Sequence, residues 1–121
     1  MTLAEALREG GYKSAQVGKW HLHPAKGDPR DFDPVDHGFD RQVFKPASKN
    51  NFLSAAAGDF ENGDFITDYL AAEASKIVDD WKYESFFLYF AFHVPHTPVV
   101  GKESLVDQYS KTVQDDSIHQ N

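Results

Sequence analysis

The sequence predicts an α/β fold in which parallel strands are joined by a crossover helix, with one long irregular connection. Three observations predict it. Tyr12–Gly18 and Phe86–Phe92 are short runs with little polar alternation, as in strands buried on both faces of a parallel sheet. Between them Ile66, Tyr69, Leu70, Glu73, Ala74, Ile77, Val78 and Trp81 recur at three- and four-residue steps. All but Glu73 are apolar or aromatic, so they form one helix face for packing on a sheet. A strand, a crossover helix and a second strand imply a parallel pair with a right-handed connection.

The elements follow in order. Thr2 is placed as an N-cap, with Glu5 three residues on to complete a capping box. Leu3, Ala6 and Leu7 give the first helix a short apolar face, and Gly10 and Gly11 end it. The strand over Tyr12–Gly18 comes next. Residues 23–62 read as a long loop, crowded with Asp and Gly and interrupted by Pro24, Pro29, Pro34 and Pro46. Within it, Gly38-Phe39-Asp40 is expected to anchor the loop by burying Phe39. Asp64 is expected to cap the long helix, and Asp68 suits its positive end. Pro95 and Pro98 stop the second strand. A short helix over Gly101–Tyr109 would carry Leu105, Val106 and Tyr109, and the tail over 111–121 is polar and reads as frayed.

Two parallel strands joined this way end at the same sheet edge. That edge receives Lys19 and His21 from one strand, and His93 and His96 from the other. Ligands in such folds sit beyond the carboxyl ends of the strands. Lys19 and His21 alternate with Trp20, so both can face one pocket while the ring packs behind them. An ammonium beside an imidazole suits a bound anion with a proton donor or acceptor next to it. On spacing alone the plainer account, a surface Lys and a hydrogen-bonded structural His, is the one to prefer.

Composition narrows the field. The chain has 121 residues, enough for one small domain. Its formal net charge of −7 argues against a nucleic-acid or anionic-membrane surface. There is no Cys, so disulfides and thiolate metal sites are excluded while the compartment stays open. No signal peptide is visible, because Met1 leads directly into a helix pattern. The longest apolar run, Phe86–Phe92, is too short for a membrane span. Asp28, Asp31, Asp33 and Asp36 do not have EF-hand spacing and read as a solvated acidic loop, and Asp79 and Asp80 as a solvated helix end. A zinc site from His21, His23 and His96 would need a carboxylate that no motif places beside them.

The string Gly11-Tyr12-Lys13-Ser14-Ala15-Gln16-Val17-Gly18-Lys19-Trp20-His21-Leu22 resembles a signature of the sulfatase family. A second segment, Phe86 to Pro98 with its His93-Val94-Pro95-His96-Thr97-Pro98 end, resembles another signature of that family. The two stand in the family's order and at a plausible separation. Met1–Glu9 and Asp36-His37-Gly38-Phe39-Asp40 also fit. The resemblance implies a partial alkaline-phosphatase-like α/β sandwich that hydrolyses sulfate esters on a small molecule or glycan. It gives Lys19 the sulfate oxygens and the hydrate of a formylglycine nucleophile. His21 becomes the base that helps break down the sulfated intermediate. His96 becomes a contact to the sulfate or the leaving oxygen, and the prolines beside it restrict its backbone. His93 is left between lining the pocket and supporting it from behind. His23 stands where the family motif commonly has glycine, and Trp20 is expected to pack rather than touch substrate.

The sequence also departs from the family pattern. The nucleophile arises from a Cys or Ser in Cys/Ser-x-Pro-x-Arg, and neither version occurs. The resemblance implies calcium in the complete enzyme, but the acidic ligands expected for it are absent. The chain therefore reads as an internal slice of the catalytic domain, and alone it is expected not to turn over sulfate esters. Uncovered strand edges would favour self-association. Members of the family are often exported or lysosomal, which does not fix the compartment here. Two rivals stay open. One is a phosphate or phosphonate ester hydrolase of the same superfamily. The other is a non-catalytic module that binds sulfated ligands or a partner chain.

Overall fold

A computed structural model describes residues 1–22, 32–44, 46 and 48–111. The first helix, α1, spans Leu3–Glu9 and starts on the capping box read from the sequence. The Thr2 hydroxyl accepts from the Glu5 N–H, and the Glu5 carboxylate accepts from the Thr2 N–H at 2.6 Å. Its buried residue is Ala4, whereas Leu3 is 62% exposed, which corrects the expected Leu3-Ala6-Leu7 face. A seven-residue helix has too few turns for spacing to fix which side packs inward.

The Thr2 bond holds the Glu5 carboxyl below its ordinary value. Desolvation opposes that, while the N-terminal ammonium and then Arg8 add to it. A carboxyl lowered on folding stabilises the fold above the ordinary carboxylate range and loses that contribution as pH falls through it. Glu5→Gln should therefore melt with a shallower acid dependence than wild type between about pH 6 and about pH 3. Parallel acid limbs in the two melting profiles would remove Glu5 from the cap.

Strand β1 covers Lys13–Gly18 and β2 covers Arg41–Phe44. Two-residue strands follow, β3 at Ser48–Lys49 and β4 at Phe52–Leu53. Helix α2 runs Ile66–Trp81, β5 runs Phe86–Ala91 and α3 runs Glu103–Ser110. Among the described residues the main sheet has the order β2-β1-β5, and both pairings are parallel. The β1–β5 register runs from Lys13 opposite Phe86 to Gly18 opposite Ala91, so both strands stop at one edge, as expected.

Ala15 and Val17 point to one face of the sheet. They form the core with Ile66, Leu70, Ala74, Ile77 and Trp81 of α2, joined by Leu53. The three- and four-residue spacing identified that helix face correctly, except that Val78 remains 40% exposed. The opposite sheet face is closed by Phe39, which stacks on Phe87 at 6.2 Å between ring centres and lies 6.4 Å from Tyr89. Phe39 is buried, so it anchors its loop as expected. Beside it the Asp40 carboxylate accepts from the Ser14 N–H at 2.7 Å.

Several expectations change. β1 is the central strand, and β5 is half-buried at an edge of the described sheet with Tyr89 44% exposed. The described part of residues 23–62 holds more order than the sequence indicated. It contributes the edge strand β2, a 3-10 turn at Pro34–His37 and the β3–β4 pair. Asn50 and Asn51 make the link between β3 and β4, both at positive φ, which Asn tolerates better than most residues. Asp33 and Asp36 serve that 3-10 turn, with the Asp33 N–H donating to Asp36 at 3.1 Å. Asp28, Asp31, His23 and residues 112–121 lie outside the described residues.

Asp64 does not cap α2. Phe65 holds that position without a side-chain bond, and the Asp64 carboxylate accepts instead from the Glu61 N–H at 2.9 Å. Asp80 is half-exposed but joins Arg41 at 2.6 Å, tying the end of α2 to β2. Helix α3 forms where expected, yet Leu105, Val106 and Tyr109 are all exposed. It is held mainly at its start, where Lys102 pairs with Asp68 and lies over the Phe65 ring.

Candidate functional site

The site begins at the last residue of β1. Gly18 has φ +100 and lies against the end of β5. A Cβ there would fall far inside contact with the Ala91 carbonyl oxygen and 3.0 Å from its carbon. Only glycine accepts both the angle and the approach. The next N–H, that of Lys19, donates to the same Ala91 carbonyl at 2.9 Å, closing the junction of the two strands.

Past that junction the chain presents Lys19, Trp20 and His21. The Trp20 indole N–H donates to the Phe32 carbonyl at 2.6 Å. Its ring leans on His37 at 5.8 Å and meets Phe39 edge-on at 6.1 Å. Trp20 therefore packs, as its place between the two polar residues suggested, and it also forms a wall of the site. From the end of β5 come His93 and His96, whose rings stack at 4.9 Å with 11° between their planes. The Val94-Pro95 and Thr97-Pro98 bonds are cis.

These residues meet around one hollow of about 430 Å3. Lys19 and His21 enter from the β1 side, His93 and His96 from the β5 side, with Trp20 and Phe44 as apolar walls. Phe44 was not expected. It stands at the end of β2, inside a stretch without strand periodicity, and the only signal for it is its place opposite Gly18 in the β1–β2 register. An adjoining hollow of about 490 Å3 shares Lys19, Trp20 and His21 and is walled by Leu22, Tyr89 and Phe92.

The chemistry of the lining is one-sided. Among the described residues no carboxylate lines the first hollow, although the chain as a whole is strongly acidic. Among the described residues Lys19 has no ion-pair partner. His96 Nδ1 lies 2.7 Å from the Thr97 carbonyl oxygen, which can only accept. Nδ1 therefore carries the hydrogen. Nε2 is left to accept a proton, or to donate one when the ring is charged. His96 is thus both a loop histidine bonded to a carbonyl and a pocket residue.

Calcium does not fit this hollow. It takes six to eight oxygen ligands, mostly carboxylates and carbonyls. The side chains here are cationic, imidazole or aromatic. Among the described residues no three His, Cys, Asp or Glu side chains are grouped to hold a metal. The zinc trio considered from the sequence includes His23, which lies outside the described residues. No helix among the described residues is long and apolar enough to cross a membrane.

Comparison with known proteins agrees with the two signatures. An arylsulfatase of Hemicentrotus pulcherrimus is 27% identical over 126 residues, covering 85% of this chain and 23% of its own length. The uncharacterized sulfatase YdeN of Escherichia coli is 29% identical over 136 residues, covering 90% of this chain and 24% of its own. The N-acetylgalactosamine-6-sulfatase of Canis lupus familiaris is 48% identical over a shorter 44 residues, 36% of this chain and 8% of its own. The chain thus spans about a quarter of the length of the first two relatives. The sulfatase family model matches residues 1–121 from end to end, and the chain belongs to the sulfatase family.

Proposed function

We propose that this chain forms the anion-binding wall of a sulfuric ester hydrolase site, with Lys19, His21 and His96 as its working groups and His93 beside them. The observation that carries the reading is the meeting of one ammonium and three imidazoles around a hollow that, among the described residues, no carboxylate lines. In this role Lys19 holds the sulfate oxygens through charge-assisted hydrogen bonds. In its charged form His96 donates its Nε2–H to the ester oxygen, where negative charge builds as the S–O bond breaks. His21, exposed at the rim, moves the proton that the hydrolytic step must transfer. The adjoining aromatic hollow gives room for the organic part of the ester.

The sequence holds no Cys and no Ser-x-Pro-x-Arg, so the family's nucleophile would have to come from residues outside these 121. The calcium that the family implies would likewise need ligands that the hollow does not offer. The isolated chain should therefore bind a sulfate ester and leave it intact.

Titrating the 121-residue chain with inorganic sulfate and with 4-nitrophenyl sulfate, followed by NMR, tests this reading. Binding is expected in about the millimolar range, weakened at least about tenfold in Lys19→Ala. His96→Ala should weaken it by a smaller factor, and no 4-nitrophenol should be released. Equal affinities in wild type and Lys19→Ala would refute the anion-binding role. Turnover by the wild-type chain that either variant abolishes would refute the expected inactivity.

A further inference from the structure

Gln16 is the anomaly of the central strand. It lies in the middle of β1 and is fully buried, yet it carries a carboxamide where a packed sheet face would take an apolar side chain. Burying an amide costs free energy unless its groups are bonded. One of them is. The Gln16 side-chain Nε2–H donates to the backbone carbonyl of Lys19 at 3.3 Å, while Oε1 has no protein partner. The carbonyl can only accept, so the amide orientation follows from the bond itself.

That bond reaches across Gly18, three residues along the chain. The peptide units of Lys19 are thereby held on both sides. Its N–H is bonded to Ala91 of β5, and its carbonyl to Gln16 of β1. Between those two anchors stands the Cα that carries the ammonium into the hollow. Gly18 supplies the bend but cannot hold it, because glycine has no side chain to restrict the following residue.

We infer that Gln16 is a positioning residue for Lys19, its carboxamide fixing the backbone so that the ammonium faces the bound anion. This rests on the anion-binding role proposed above for Lys19. Gln16 itself does not touch the ligand. Its contribution is the ordering of Lys19 before the anion arrives, which would otherwise be lost on binding.

The test compares Gln16→Met with Ser14→Ala in the 121-residue chain, titrated with inorganic sulfate. Met keeps much of the volume but cannot donate. Ser14 is equally buried on the same sheet face and bonds Gly38 and Asp40 instead. Gln16→Met should weaken sulfate affinity about three- to tenfold, the worth of one such hydrogen bond. Ser14→Ala should keep it within about twofold while lowering the melting temperature comparably. Wild-type affinity in Gln16→Met would overturn the inference while leaving the role of Lys19 intact. If Lys19→Ala binds sulfate like wild type, the anion-binding role fails first and this inference with it. Should Gln16→Met not fold, the wild-type chain decides. A slowly exchanging Gln16 side-chain N–H, coupled through the hydrogen bond to the Lys19 carbonyl carbon, supports the inference, and its absence overturns it.

Discussion

Gly18→Ala is expected to destabilise the fold by about 3 kcal/mol or more, enough to consume a large part of a typical domain's stability. Two costs combine. The first is a side chain at φ +100, and the second is the collision with Ala91. The collision is with backbone, so it can be relieved only by parting β1 from β5. That would also break the Lys19 N–H bond to Ala91 and open the floor of the hollow. Gly63 separates the two costs. It has nearly the same angle, φ +98, with nothing within 4 Å of where a Cβ would stand. Gly63→Ala should therefore lose only about 1 kcal/mol, within the range for the angle alone. Urea or thermal unfolding of the two variants reads the difference directly. Equal losses would mean that the close approach at Gly18 contributes nothing.

Leu70→Ala is expected to cost about 3–5 kcal/mol. Leu70 is fully buried in the middle of the α2 face, and its Cδ1 lies 3.6 Å from the Cβ position built at Gly18. The cavity left by truncation would lie beneath the strand junction that presents Lys19. Leu105→Ala on α3 makes the contrast, because Leu105 is 44% exposed and should change stability by no more than about 0.5 kcal/mol. Denaturant midpoints of both variants, with unchanged slopes, would test the pair. A loss of less than about 1 kcal/mol in Leu70→Ala would show that the α2–β1 contact does not hold the sheet together.

Local spacing revealed the parts of the fold whose burial is written along the chain. The turn-by-turn recurrence from Ile66 to Trp81 marked the helix face, and the aromatic run at Phe86–Phe92 marked a strand. Parallel strands joined by a helix must end together, so the meeting of Lys19, His21, His93 and His96 at one edge also followed from the order of elements. The capping box at Thr2 and Glu5 was legible for the same reason, since its partners are three residues apart.

Other features depend on partners far away in sequence. No local pattern tells Phe86–Ala91 that it stands beside β1 at an edge, or tells Arg41–Phe44 that it closes the other side. The exposed side of α3 depends on what packs there, not on its own spacing. The bond from Gln16 to Lys19 spans only three residues, but it exists because Gly18 turns the chain back and the sheet buries the amide.

By itself the sequence determined where the cationic and imidazole side chains stand and which segments form α2, β1 and β5, because side-chain chemistry and periodicity are local properties. Only the tertiary structure decided which strand is central, which walls close the hollow and which buried amide bonds the Lys19 carbonyl. Those outcomes come from backbone pairing and close packing between distant segments, and their energies appear only when the segments meet.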